Sequence, residues 1–253
     1  MKKLENIDLK KKKYFIFDLD GTLIDSNGMW RIIDQRLIYY LCGKMIDLTT
    51  LKNDSNYFFL HNNKGNIYLK YCEFLISKYN LNITGEKMLF FREKISEEMS
   101  RSDVKFKLGA AEVVNLLHDM GYDLALATIS PKRQIDIYCE NKANKQVYDL
   151  FNFIITADDI KNKKPYPEIY EKVLVHYQAQ PSECLIFEDS LSGVLASKNA
   201  GIDVVNVYDM YSENDRVSLD KLSDYYIDDF NEFRNILLNN SMILKRGSYG
   251  KKI

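Results

Sequence analysis

Tyr14-Phe15-Ile16-Phe17-Asp18-Leu19-Asp20-Gly21-Thr22-Leu23 is the stretch that decides the fold. Its first four residues read as a short buried strand that delivers two carboxylates to its C-terminal end. Side chains two apart on extended backbone face the same way, so Asp18 and Asp20 can address one ligand. Gly21 permits a tight turn and a close approach of that ligand. Open α/β sheets collect ligands at this edge. The block therefore predicts an acidic catalytic site on which further charged groups converge.

Outward from it, short apolar or alternating runs predict strands at 122–128, 153–156, 184–187, 204–207 and 225–227. Helical patterns fall between them at 109–120, 131–142, 166–179 and 190–200, the second opened by Ser130 as N-cap and Pro131 as first helical residue. Strand–helix alternation implies a parallel sheet wrapped by helices. Residues 24–104 break the rhythm with helical patterns at 26–41, 65–79 and 85–100, and they are too long for an ordinary connection. The expected fold class is α/β: a parallel-sheet core over 1–23 and 105–240, and an inserted all-helical cap over 24–104 acting as a lid. Residues 241–253 are polar and basic and are expected to form a mobile tail.

With 253 residues, 46% hydrophobic and 28% charged, the chain has the composition of a soluble globular protein. A formal net charge of −1 provides no bulk basic field for nucleic acid or a membrane surface. No stretch approaches the roughly 20 apolar residues of a membrane span, and no apolar segment of a signal peptide precedes Lys13. Cys42, Cys72, Cys139 and Cys184 are scattered, and His61, His118 and His176 have no zinc-site spacing. The reading is a cytoplasmic protein with reduced thiols, acting on a small molecule rather than on nucleic acid or membrane; the oligomeric state is left open, with a monomer compatible.

Three more apolar runs end in polar groups. Leu124-Ala125-Leu126-Ala127 leads to Thr128 and Ser130; Asp158-Asp159-Ile160 leads to Lys164-Pro165; Cys184-Leu185-Ile186-Phe187 leads to Glu188-Asp189-Ser190, with Gly193 beyond. These four endings, in order, resemble the four motifs of the haloacid dehalogenase superfamily, and the helical insert is similar in position to that superfamily's first cap type. Asp25-Ser26 and Asp189-Ser190 bring the chain close to its β-phosphoglucomutase and phosphoglycolate phosphatase branch. The resemblance implies a Rossmann-like core and a phosphatase of small phosphorylated metabolites, such as a sugar phosphate or phosphoglycolate.

It also implies roles. Asp18 is the nucleophile that takes up the phosphoryl group, and Asp20 the acid and base that serves the leaving alcohol and then water. Thr128 binds a phosphoryl oxygen through its hydroxyl and backbone N–H, and Lys164, unlike Lys161 and Lys163 expected in solvent, neutralises charge and restrains Asp18. The acids also demand a cation on electrostatic grounds: carboxylates about 5 Å apart repel by roughly 3 kcal/mol at an effective dielectric near 20. Mg²⁺ suits such a partial cage. Asp18 and Asp189 are the expected carboxylate ligands, Asp20 contributes its backbone carbonyl, and Glu188 binds directly or through water.

Other readings carry less. Dehalogenases of the superfamily lack the acid at the position of Asp20. Sugar-phosphate mutases carry a histidine early in the first cap helix, where this chain has Trp30, and no match to their cap arginine is located. Phosphonate hydrolysis calls for an activated cap lysine, and nothing marks Lys44, Lys52 or Lys70 as one. A mutase-like phosphotransferase remains the alternative, followed by a non-catalytic phosphate sensor, whose sign would be loss of Asp18, Asp20 or the distal acids. Met29, Trp30, Ile33, Tyr57, Phe58 and Phe59 could line a pocket, but aromatics at helical spacing more often form core. The lesser alternative for Glu188-Asp189 is that they only cap the helix that starts near Ser190.

Overall fold

The apolar runs become six strands: β1 (Tyr14–Phe17), β2 (Asp123–Ala127), β3 (Phe153–Ile155), β4 (Cys184–Glu188), β5 (Asp203–Val207) and β6 (Tyr225–Ile227). A computed structural model describes residues 4–62 and 66–249, without the side chains of residues 6, 59, 60 and 241–249. The strands form one all-parallel sheet in the order β3-β2-β1-β4-β5-β6. This is a doubly wound order whose direction of winding reverses at β1, and ligands bind outside the strand ends at such a reversal.

Both faces of the central strands are covered, which is why they read as continuous apolar runs. Alternate residues serve opposite faces. Ile16, Ala125 and Ile186 pack with Ile169, Tyr170, Val173 and Val194 on one side. On the other, Phe17 and Phe187 stack at 4.7 Å, and Phe15, Phe17 and Phe187 meet Phe230 and Phe233. Each fully buried phenylalanine contributes about 1.5–3 kcal/mol.

The chain divides into two compact units, Met1–Asp25 with Lys105–Ile253, and Ser26–Val104. The first boundary falls after Asp25 rather than Leu23. Ile24 still bridges Asp20 and Phe106, and the Asp25 N–H donates to the Lys105 carbonyl. The second unit holds α1 (Met29–Cys42), α2 (Leu48–His61), α3 (Ile67–Tyr79) and α4 (Gly85–Ser102). Side chains of Asp47, Asn66 and Thr84 cap the last three at their N-termini. Its core gathers Ile38, Leu51, Phe58, Tyr71, Cys72, Leu75 and Met88. Of the side chains considered for a pocket, Met29, Ile33 and Phe58 are buried, Trp30 and Tyr57 are exposed, and the Phe59 side chain lies outside the described residues.

The first unit adds α5 (Ala110–Asp119), α6 (Lys132–Cys139), α7 (Lys142–Tyr148), α8 (Glu168–Tyr177), α9 (Leu191–Asn199), α10 (Arg216–Leu222) and α11 (Phe230–Tyr249). The segment expected as a tail is helical through Tyr249, since Met, Leu, Lys and Arg favour helix and no proline interrupts them; residues 250–253 lie outside the described residues. Among the described residues no helix is long and apolar enough to cross a membrane.

Candidate active site

Register brings the polar strand ends level. Phe17 lies opposite Leu126 on β2 and Phe187 on β4, so Asp18, Thr128 and Glu188-Asp189 emerge together. The Asp18 N–H continues the ladder to the Phe187 carbonyl at 3.0 Å. The chain then turns through Gly21, whose φ of +83° suits a residue without Cβ, and its N–H closes the turn on the Ile24 carbonyl at 2.9 Å.

Lys164 joins these ends. Its ammonium donates to Asp18 Oδ1 at 2.6 Å, to the Ala127 carbonyl at 3.1 Å and to Glu188 Oε1. Lys164, Asp18, Glu188 and Asp189 are all buried, whereas Lys161 and Lys163 are exposed. Glu188 Oε1 also accepts from the Tyr170 hydroxyl at 2.8 Å, and Oε2 accepts from the Ser190 N–H and hydroxyl at 3.3 and 3.2 Å. Thr22 donates its hydroxyl to Asp189 Oδ1 at 2.8 Å. A carboxylate oxygen from each of Asp18, Glu188 and Asp189 lies within 4.8 Å of the other two.

Asp20 and Thr128 belong to an adjoining hydroxyl network. Ser130 Oγ donates to Asp20 Oδ2 at 2.6 Å and the Tyr138 hydroxyl to Oδ1 at 3.3 Å. Thr128 Oγ1 accepts the Ser130 N–H at 3.0 Å. Two expectations change here. The Thr128 N–H is committed to the Ile155 carbonyl at 3.0 Å, because the β2–β3 ladder runs one residue past the strand; only its hydroxyl can turn to a ligand. Ser130 does not cap a helix: α6 starts at Lys132 with Pro131 before it, and the serine hydroxyl serves Asp20 instead. Nor do the acids cap α9, whose N-cap is Ser190, accepting the Gly193 N–H at 3.1 Å.

The charges do not balance. The Lys164 ammonium pairs with Asp18 and Glu188 but not with Asp189, and counted as ionised the three acids and this lysine carry −2. Burial, and then Glu188, push the Asp18 carboxyl well above the ordinary carboxylate range, with Lys164 pulling the other way. Burial, Glu188 and Asp209 push Asp189 up to about 8. Burial works against the Lys164 ammonium, but Asp18 and Glu188 outweigh it and hold the lysine well above its usual value. The donor set is all carboxylate oxygen, hard and anionic, and one divalent cation would offset the net charge left after Lys164. It fits Mg²⁺.

Several members of the site left no mark in the sequence reading. Thr22 stands in the first motif but received no role; Tyr138 and Tyr170 lie on helices and reach the acids only through the tertiary fold. Gly193 gives room that only a glycine can, since a Cβ there would lie 1.9 Å from the Glu188 carboxylate.

Residues 15–207 match the sequence profile of the haloacid dehalogenase-like hydrolase family. Protein CbbY of Rhodobacter capsulatus is 26% identical over 81% of this chain and 89% of its own length. (DL)-glycerol-3-phosphatase 2 of Arabidopsis thaliana is 25% identical over 78% of this chain and 79% of its own. A HAD family hydrolase of Deinococcus radiodurans, solved with bound phosphate and sodium, superposes with a TM-score of 0.70 at 20% identity, over 90% of this chain and 96% of that one. With its profile match spanning the sheet from β1 to β5 and the acidic cluster within it, this chain is an enzyme of the haloacid dehalogenase-like hydrolase family.

Proposed function

We propose that the enzyme hydrolyses a small phosphate monoester through a phosphoryl group carried on Asp18, with one Mg²⁺ at the acidic cluster. The observation that carries this reading is the buried Asp18 carboxylate, hydrogen-bonded to Lys164 inside a cluster two positive charges short. The relative named as a glycerol-3-phosphatase and the structural neighbour with bound phosphate support the substrate class.

The first step forms a bond from an Asp18 carboxylate oxygen to phosphorus and breaks the bond to the ester oxygen. Asp20 gives its proton to the departing alcohol. In the second step Asp20 takes a proton from water as that water attacks phosphorus, the bond to Asp18 breaks and inorganic phosphate leaves. The fixed positive charge of Lys164 and the Thr128 hydroxyl offset charge on the transferring oxygens and stabilise the transition state without reorganising. Asp18, Asp189 and the Asp20 carbonyl, with Glu188 directly or through water, would hold Mg²⁺. When bound, the ion neutralises the carboxylates and draws a phosphoryl oxygen to them. Ser130 and Tyr138 hold Asp20 in place as acceptor of their hydroxyls.

The mutase alternative calls for a histidine early in the first helix of the insert. α1 begins Met29-Trp30-Arg31 and contains none, which favours water as the acceptor. A panel of phosphate esters with Mg²⁺, read by phosphate release, tests the proposal. Turnover that stops in EDTA supports it; no release from any ester, or full release without a divalent ion, refutes it.

A further inference from the structure

The Lys164 ammonium spends its three protons on Asp18 Oδ1, the Ala127 carbonyl and Glu188 Oε1. Its orientation therefore depends on where Glu188 stands. Glu188 is fully buried and gripped from several sides. Ser190 fixes Oε2, Gly193 leaves the space a Cβ would take from the carboxylate, and the Tyr170 hydroxyl shares Oε1 with Lys164 at 2.8 Å. The face of the Tyr170 ring also lies 5.1 Å from the ammonium nitrogen, within range of a cation–π contact. Tyr170 thus touches both members of the pair and touches no position where substrate is expected to react.

We propose that Tyr170, on α8, is a positioning residue: its hydroxyl anchors Glu188 and its ring backs Lys164, so that the ammonium stands against Asp18 in advance of substrate. Without the hydroxyl, Glu188 Oε1 has the ammonium to itself, and Lys164 is drawn from Asp18 toward Glu188. The residue lies six positions after Lys164, so the segment that supplies the cation also supplies its brace. Burial, followed by Glu188, raises the phenol well above its ordinary value, which keeps the hydroxyl protonated and donating. The inference rests on the phosphatase reading for its kinetic consequence, and on the geometry alone for its effect on metal binding.

The test compares full-length wild type with Tyr170→Phe, which keeps the ring and removes only the donor. Tyr177→Phe is the control on the same helix; its hydroxyl donates to the Leu124 carbonyl at 3.1 Å, away from the cluster. Turnover of p-nitrophenyl phosphate gives kcat and KM, calorimetric titration gives Mg²⁺ affinity, and melting temperature monitors the fold. A hydrogen bond to a charged group predicts roughly a ten- to hundredfold fall in kcat for Tyr170→Phe. KM should stay within about twofold, and Mg²⁺ affinity should weaken several-fold, by roughly the same class of interaction. Tyr177→Phe should change neither. Wild-type kcat and Mg²⁺ affinity in Tyr170→Phe would overturn the inference and leave the phosphatase reading intact. Equal losses in both variants, or a loss that follows a collapse in melting temperature, would make Tyr170 merely structural and overturn it too. A wild type that neither turns over ester nor binds Mg²⁺ would overturn the functional reading and the inference with it.

Discussion

Each unit of this protein buries a cluster of charge, and the two clusters are built on opposite terms. In the helical unit Asp34 on α1 meets Arg92 on α4, Nε to Oδ1 at 2.6 Å and Nη2 to Oδ2 at 3.3 Å, with the Tyr71 hydroxyl at 3.3 Å. The guanidinium lies 5.1 Å from the Trp30 ring and 5.1 Å from the Tyr71 ring. One carboxylate pairs with one guanidinium, and the cluster ties three helices together, since Tyr71 lies on α3. In the sheet unit three carboxylates cluster, and one ammonium meets two of them, Asp18 and Glu188. Burial of charge is costly in both places. A cluster that balances itself is sufficient for structure; one that ends with excess negative charge is where the proposed function places a cation.

The largest expected effect lies in the unbalanced cluster. Asp18→Asn should lower turnover by about 10⁴-fold or more, as loss of a nucleophile does, and should abolish the acid-labile phosphoryl adduct expected on phosphate labelling of wild type. The same change removes one acid from the crowded cluster, so the melting temperature of the metal-free protein should rise. A fall would show that the cluster is balanced after all.

In the balanced cluster the effect falls on stability. Arg92→Met leaves Asp34 buried without its guanidinium and should cost about 3–5 kcal/mol in urea unfolding. Adding Asp34→Leu should restore most of that loss, because the pair as a whole adds little beyond an apolar replacement. A double variant as unstable as the single one would give the pair a role that packing cannot replace.

The pH dependence separates the two clusters further. Asp189 stands at about 8 in the folded, metal-free protein, above the ordinary aspartate value of 3.8. A raised acid holds its proton more tightly when folded, so its stabilising contribution is complete below about pH 4 and is lost as the pH rises through about 8. In EDTA the melting temperature should therefore be higher at pH 6 than at pH 9, and Mg²⁺ should reduce or reverse that difference. Equal melting temperatures in EDTA would place Asp189 in the ordinary range.

The smallest effect is uncharged. Asn66 caps α3 by accepting the Leu69 N–H at 3.1 Å, and Asn66→Ala should cost about 1 kcal/mol in the same unfolding assay. A loss as large as that of Arg92→Met would mean that the helical unit owes its stability to caps rather than to its buried pair.

The sheet was legible because its strands are buried on both faces. Phe15-Ile16-Phe17 and Leu185-Ile186-Phe187 leave no polar residue to obscure the period, and each ends in acids that a core strand would not otherwise carry. The helical unit was less so. α2 reads Leu-Thr-Thr-Leu-Lys-Asn-Asp-Ser-Asn-Tyr-Phe-Phe-Leu-His, where polar residues blur the helical stripe, and its start depends on the Asp47 cap. The pattern expected over 131–142 ends as a helix at Cys139, and α7, which it did not include, follows from Lys142 because Asn141 caps it with its side chain. The acids and the lysine of the site follow from sequence order. Tyr138, Tyr170 and the second use of Ser130 do not, since they depend on which helix face meets which strand end.

The most direct test is calorimetric titration of Mg²⁺ into the metal-free wild type at pH 7.5, in buffers of different ionisation enthalpy. The expected result is one ion bound per chain with release of protons, as the ion displaces those held by the crowded carboxyls, and no binding in Asp189→Asn. Absence of a binding heat in wild type, together with full phosphate release in EDTA, would contradict the claim that a divalent cation completes this site.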